Sequence, residues 1–475
     1  MPSPYTHSKT LTTTITTRLI KTPLLLLSSF FLLYLLYRTH ISPSLFTPTI
    51  TSSLSTPTTT TTTSIHHLVF GIASSSRSYP KRLSYIHTWF KPYLTRGYVF
   101  LDRIPNDTLT SPFPIPTIIS KDTSKFPYTF PRGLRSAIRV SRIVKELVDL
   151  NLSDVRWFVF GDDDTVFFTE NLVKMLSKYD HNKWYYIGSN SESFDQNTNY
   201  SFDMAFGGGG FAISYSLGKV LAKVLDKCLM RYSHLYGSDS RIFSCLAELG
   251  VGLTHEPGFH QVDMRGSLFG MLSAHPLAPL ISLHHLDNVE PIFPGMNHSQ
   301  ALDQLLLAVK VDSERILQQT VCYDHSKSLT ISISWGYSVQ VYEGNQLLPD
   351  LLPLQRSFVP WRRSVNVYSN PFMFNVREYS KYPCKRPAVF YLENVFSKAN
   401  EIQSNYKRQF VKNCVQNGSL ENLEEIVVFS QKLDLDIGKL QAPRRHCCDV
   451  LNLFDTKTKV LIRQCGDEEL IAMDP

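Results

Sequence analysis

The chain has 475 residues, 43% of them hydrophobic and 12% aromatic, which excludes a disulfide miniprotein and a largely disordered or fibrous chain and leaves room for two or three domains. Its 48 Lys+Arg against 41 Asp+Glu give a net charge of +7, and no acidic residue precedes Asp102, so much of the excess is local. Basic residues never gather into a long run, the densest group being Pro443-Arg444-Arg445, so nucleic acid is not an expected partner.

From Pro23 to Tyr37 the sequence reads PLLLLSSFFLLYLLY, which with Thr22 makes an apolar helix of about 24 Å. Lys21 and Arg38 can snorkel to make up the small shortfall against a bilayer core. Lys9, Arg18 and Lys21 lie before the run, so the charge bias predicts a cytosolic tail (1–21), a single-pass transmembrane anchor (22–37) and a lumenal remainder. A cleaved signal peptide or a transit peptide would also start without acids. Arg38-Thr39-His40-Ile41 offers no small-x-small cleavage site, however, and the apolar block is not amphipathic. Residues 38–64, ending in SSLSTPTTTTTTS, are too poor in apolar surface to fold and read as a stem.

Sequons at Asn106, Asn151, Asn199, Asn297 and Asn417 agree with a lumenal body. So do eight cysteines, all from Cys228 onward and none in a CxxC pair. Cys228 and Cys245 can pair within one domain and the other six within the next, although eight cysteines allow 105 connectivities.

Residues 65–302 alternate short apolar runs with amphipathic patterns. HLVFGIA (67–73) reads as a strand, Leu83, Ile86, Trp89 and Phe90 as one helix face, and GYVFL (97–101) as a strand. Leu134, Ile138, Ser141, Ile143, Val144, Leu147 and Val148 make a second helix face, and RWFVF (156–160) is a buried strand. This predicts an α/β domain with a mostly parallel sheet. Residues 303–475 change character. In SLTISISWGYSVQVYE (328–343) alternate residues from Leu329 to Val341 share one face, and β-like runs follow near 372–376, 388–391, 425–429 and 459–462. These predict a β-rich, cysteine-containing C-terminal domain.

The chemistry concentrates in WFVFGDDDTVFF (157–168). Three consecutive carboxylates after a buried strand repel one another and lose hydration, so they stay ionised most readily around a cation. Hard oxygen ligands favour magnesium or manganese, and the C-terminal edge of a sheet is where such an ion can hold a ligand's phosphates. Capping of a helix beginning near Thr169 would explain one aspartate and not three. Asp162-x-Asp164-x-Val166 also fits the nucleophile loop of haloacid-dehalogenase-type phosphatases, but that loop normally opens its domain, and no suitably placed later acidic motif follows.

With these residues stand RSAIRVSRIV at Arg135, YYIGSNSES at Tyr185, MAFGGGGFAIS at Met204, YGSDSRIFSCLAELGVGLTHEPGFHQVD at Tyr236, SLHHLDNVEPIFP at Ser282, VCYDHSKSLTISISWGYSVQVY at Val321 and PRRHCCDV at Pro443. Together with HLVFGIASSSRSYPKR at His67, they make nearly all of residues 65–475 resemble the plant Fringe-related proteins of the DUF604 group, distant relatives of the Fringe-type β-1,3-glycosyltransferases. The resemblance implies a GT-A (Rossmann-like) fold, a UDP-sugar donor, a glycan or glycoconjugate acceptor and a Mn2+ (or Mg2+) ion.

Carried onto this chain, Asp162 and Asp163 match nucleotide-facing positions and Asp164 the metal ligand. His284-His285 matches a segment that supplies a further ligand, expected at His285. Gly208, Gly209 and Gly210 match a loop lining the sugar site, where missing Cβ atoms allow close approach. Where relatives carry an acidic pair this chain reads Ser238-Asp239-Ser240-Arg241, which leaves Asp239 as the expected catalytic base. The implied function is a metal-dependent inverting glycosyltransferase of the Golgi membrane, with a type II topology. Ser240 in place of the second acid motivates the alternative of a catalytically silent glycan-binding protein on the same fold.

Overall fold

A computed structural model describes Phe31, Tyr34 and residues 62–105, 115–362, 371–412, 414, 420–453 and 456–472. The expected tail, the anchor at 22–37 apart from Phe31 and Tyr34, and nearly all of the stem lie outside the described residues. Among the described residues no helix is long and apolar enough to cross a membrane.

The first eight strands are β1 (Leu68–Ala73), β2 (Arg96–Leu101), β3 (Thr117–Ile119), β4 (Trp157–Asp162), β5 (Val166–Phe167), β6 (Tyr186–Gly188), β7 (Phe211–Ser214) and β8 (Leu253–His255). All but β5 join one sheet in the order β3-β2-β1-β4-β7-β6-β8. Its neighbours are parallel except at β7, which runs antiparallel to both β4 and β6. The mostly parallel sheet is thus a mixed one, because the glycine loop before β7 turns that strand back beside β4.

Period-two alternation decides which way each side chain faces. Leu68, Phe70 and Ile72 of β1 and Trp157 and Val159 of β4 enter one apolar cluster, while Val69, Phe158 and Phe160 enter another. The second cluster is covered by helices Ser136–Asp149, Tyr215–Arg231 and Ser238–Glu248, whose apolar stripes include Ile143, Leu147, Leu221, Leu225 and Leu246. Leu134, expected on the first of these faces, lies before the helix and is 73% exposed.

The first cluster runs without a break into the C-terminal part, through Trp335, Phe390, Ile426 and Val460. Residues from Thr62 onward form one compact unit, and the boundary expected at 302/303 falls inside helix His298–Val311.

Short strands β9 (Phe259–His260), β10 (Met264–Gly266) and β11 (Ser282–Leu283) follow the first sheet, and β11 pairs with both β5 and β9. The alternating segment 328–343 is a hairpin of β13 (Leu329–Ser334) and β14 (Ser338–Glu343), preceded by β12 (Gln319–Asp324). Gly336, at φ +78°, makes the turn, so the odd-numbered residues of both arms face the same core. Five further strands complete this eight-stranded sheet: Ala388–Lys398, Glu401–Arg408, Glu425–Gln431, Lys457–Arg463 and Cys447–Leu453. It is antiparallel except between Glu425–Gln431 and Lys457–Arg463. The run at 372–376 contributes no strand to it, only an isolated bridge at Phe372 and the short strand Val376–Arg377.

Four disulfides, Cys228–Cys245, Cys322–Cys448, Cys384–Cys414 and Cys447–Cys465, use all eight cysteines. The first ties two helices of the α/β part and the other three lie in the C-terminal part.

Candidate active site

Strand β4 is buried on both faces and ends at Asp162, so the next residues leave the sheet at its C-terminal edge. The turn is held by Thr165, whose hydroxyl oxygen accepts from the Asp162 N–H (2.8 Å) and donates to the Gly208 carbonyl (2.7 Å). One side chain thereby couples the acidic turn to the glycine loop. The indole of Trp89 donates to the Thr165 carbonyl at 3.0 Å and braces the turn from helix Tyr79–Trp89.

Asp162, Asp164 and His284 bring one ligand atom each to within 4.8 Å of one another. His284 Nε2 lies 3.1 Å from Asp164 Oδ1 and 3.8 Å from Asp162 Oδ2. Asp164 is 1% exposed and lies between His284 and the Arg82 guanidinium, which forms an ion pair with it. Burial alone would raise the Asp164 pKa. The hydrogen bond and charge of His284, with Arg82, override it and hold the carboxyl at about 2. His284 is correspondingly shifted upward: its burial is outweighed by Asp164 and Asp162.

Asp162 is the open member, with 43% of its side chain exposed. Even so, withdrawal of much of its hydration, reinforced by the charges of Asp164, Asp239 and Asp163 and opposed by His284, raises it to about 7. Two carboxylates and an imidazole nitrogen, one carboxylate held ionised, are a donor set suited to a hard divalent ion.

The geometry corrects the expectation at the histidine pair. His284 closes the triangle and His285 does not. With φ at +54°, His285 turns aside to stack on Trp361 (4.7 Å between centroids), its Nδ1 lying 3.6 Å from Asp263. Asp163 also departs from its expected nucleotide-facing place: it is 5% exposed and points into the protein. It accepts from the Ser74 hydroxyl at 2.6 Å and pairs with Arg82 at 3.4 Å.

The glycines sit under the site more than they line it. A Cβ on Gly207 would stand 2.6 Å from Asp239 Oδ1, and one on Gly208 would fall within the imidazole of His284. Gly209 donates to the Gln261 side chain at 2.6 Å, and Gly210, at φ +87°, packs on Phe167. Only Gly208 of the three expected donor-binding glycines reaches the cleft. Gly208→Ala should therefore displace His284, costing about 1–3 kcal/mol of stability by overpacking, and would weaken any Mn2+ binding that uses His284. Thermal unfolding and metal titration would read both. Gly252→Ala, with nothing within 4 Å of the added methyl, is the control expected to change neither.

Asp239 lies in the first turn of helix Ser238–Glu248, where the helix N-terminus favours an anion. The Ser238 hydroxyl donates to it at 3.0 Å. Burial raises its pKa, only partly offset by the Gly207 N–H and Ser238. The preceding loop is stapled by fully buried Arg241, which donates to the carbonyls of Gly237 (2.7 Å), Tyr236 (3.1 Å) and Ser233 (3.2 Å). Asp162, Asp239, Ser240, His284 and His285 all line one cleft of about 540 Å³.

Sequence reasoning missed Arg82, Gln261, Asp263 and Trp361. Arg82 closes the HLVFGIASSSRSYPKR segment, and a helix starting near Tyr79 would have placed it at the sheet's edge. Trp361 had no local signal. It reaches the cleft because β10 pairs with Phe358–Pro360, and Arg265 secures the end through the carbonyls of Pro360 and Trp361.

Residues 63–269, which carry the first sheet, the acidic turn and the glycine loop, match the Fringe-like family model. Residues 196–448 match the model described as protein of unknown function, DUF604. The chain belongs to that family. It is 28% identical over 155 residues to a beta-1,3-glucosyltransferase of Homo sapiens, a match covering 32% of this chain and 28% of the relative. It is 29% identical over 119 residues to a beta-1,3-glucosyltransferase of Mus musculus, covering 25% and 23%. The chain thus spans about a quarter of the length of these curated relatives.

Proposed function

We propose that the protein is an inverting, metal-dependent glycosyltransferase on a GT-A fold, moving a hexosyl or N-acetylhexosaminyl group from a UDP-sugar to a glycan or glycoconjugate acceptor. The observation that carries this reading is the convergence of Asp162, Asp164 and His284, of which Asp162 and His284 line the same cleft as Asp239. Asp164, Asp162 and His284 would hold Mn2+ or Mg2+, which when bound supplies Lewis-acid stabilisation of the departing nucleoside diphosphate.

The chain's own groups do the rest. His284 is oriented by its hydrogen bond to the Gln261 carbonyl (3.2 Å) and by contact with Gly208. Asp239 accepts the acceptor hydroxyl's proton. A carboxylate whose pKa is raised by burial is a stronger base than a solvated one. The cleft positions donor and acceptor for a single displacement.

Purified protein should release UDP from a UDP-sugar, UDP-glucose being the first to try, only when manganese is present. Absence of release from a panel of UDP-sugars, with glycan binding intact, would favour the silent binding protein that Ser240 brings into view.

The apolar run at 22–37 supports a type II anchor in the Golgi membrane with the body in the lumen. Protease added to intact microsomes should then leave residues 65–475 intact. Their digestion would exclude this orientation.

A further inference from the structure

A second cleft, of about 630 Å³, is walled on one side by the α/β part and on the other by residues 433–467, and shares no lining residue with the first. We propose that it binds a carboxylate-bearing saccharide, a uronic-acid glycan, anchored on the Arg445 guanidinium.

The charged side chains of its wall are Lys178, Lys439, Arg444 and Arg445 against Glu256 and Asp467. Most are already matched. Glu256 is held by Lys178 and by the Tyr179 hydroxyl. Lys439 pairs with Asp436 at 3.5 Å and donates to the Asp434 carbonyl at 2.8 Å. Arg444 lies exposed on the rim and donates to the carbonyls of Gly466 (2.8 Å) and Glu469 (3.1 Å).

Arg445 differs. Burial depresses its pKa and no carboxylate counters the effect. Among the described residues its acceptors are the backbone and side-chain oxygens of Gln319, both 3.3 Å from a single terminal nitrogen, Nη1. A partly buried guanidinium without a counter-charge is unfavourable, and its unused N–H groups form a planar fork that matches a carboxylate in bidentate fashion.

A bare ion would leave most of the cleft unfilled, since this volume is that of a site for an organic ligand. The walls supply what a sugar ring needs around its charged group. Leu277, Pro279 and Leu440 are apolar, and His446, whose pKa burial lowers to about 4, serves as a neutral hydrogen-bonding group at neutral pH. Arg445 lies two residues before the strand whose first residues, Cys447 and Cys448, are both disulfide-bonded, which restrains the neighbouring backbone before any ligand arrives.

Uronide binding here does not depend on the transfer reading, and one experiment separates the two. Calorimetric titration of the full chain should show binding of a galacturonic acid trisaccharide, maltotriose binding at least about tenfold more weakly, and no binding of inorganic phosphate to this cleft. Arg445→Gln should lower uronide affinity by about tenfold or more while UDP binding in the first cleft is unchanged. Because Arg445 also braces Gln319, Arg445→Lys, which keeps the charge and loses the fork, is the second variant and should lose affinity as well. Equal binding of maltotriose, phosphate binding abolished by Arg445→Gln, or undiminished uronide binding in both folded variants would overturn the proposal.

Discussion

Asp164→Asn should reduce sugar transfer by at least about a hundredfold and abolish the manganese dependence of UDP binding. A divalent ion on a leaving diphosphate is worth several kcal/mol, at about 1.4 kcal/mol per factor of ten. The variant should still fold: the side chain is isosteric, and Arg82, which loses one partner, keeps Asp163 at 3.4 Å. Direct titration of UDP with and without Mn2+ on the folded variant is the decisive measurement. Unchanged manganese dependence would remove Asp164 from the metal site, whatever happened to turnover.

Asp239→Asn should lower transfer by about 10²–10⁴-fold, the usual worth of a positioned general base, while leaving UDP-sugar affinity in place. The split arises because Asp239 would act on the acceptor hydroxyl, whereas the diphosphate would be served by Asp162, Asp164 and His284. Ser240→Asp is the complementary variant, since Ser240 lines the same cleft one residue further along the helix. Little gain there, with loss in Asp239→Asn, describes an active enzyme working through Asp239. A large gain would mean that the natural chain is impaired at proton removal. Transfer that survives Asp239→Asn passes the role to another carboxylate of the cleft, Asp162 or Asp263.

Much of this site can be read without coordinates because its parts are local. A buried run ending in three carboxylates announces a strand stopping at a charged edge, and β4 stops there. Four glycines before an apolar run announce close packing, although the sequence does not say against what. The structure puts Asp239 and His284 against Gly207 and Gly208. The choice between His284 and His285 was not legible, because adjacent residues differ in direction through backbone angles alone, and a positive φ at His285 reverses the expectation. Trp361 was invisible for a different reason: its place depends on pairing between strands nearly a hundred residues apart.

In the C-terminal part the alternation over 328–343 persists through a turn, since Trp335 and Tyr337 continue the buried face on either side of Gly336. Periodicity therefore found the face and not the hairpin. Strands Glu401–Arg408 and Cys447–Leu453 escaped notice, their mixture of charged and apolar residues carrying too weak an alternation.

The bond between Cys228 and Cys245 bears on how the protein must be prepared. Cys245 sits six residues after Asp239 on the same helix, about 9 Å along its axis, and clasps that helix to Tyr215–Arg231. A bond that does not line that cleft therefore helps fix the angle at which Asp239 enters it. Material made in a reducing cytosol would lack the clasp, and inactivity in such a preparation would report the redox history of the sample. Whether Asp239 works can be judged only on oxidised protein in which titration finds no free thiol.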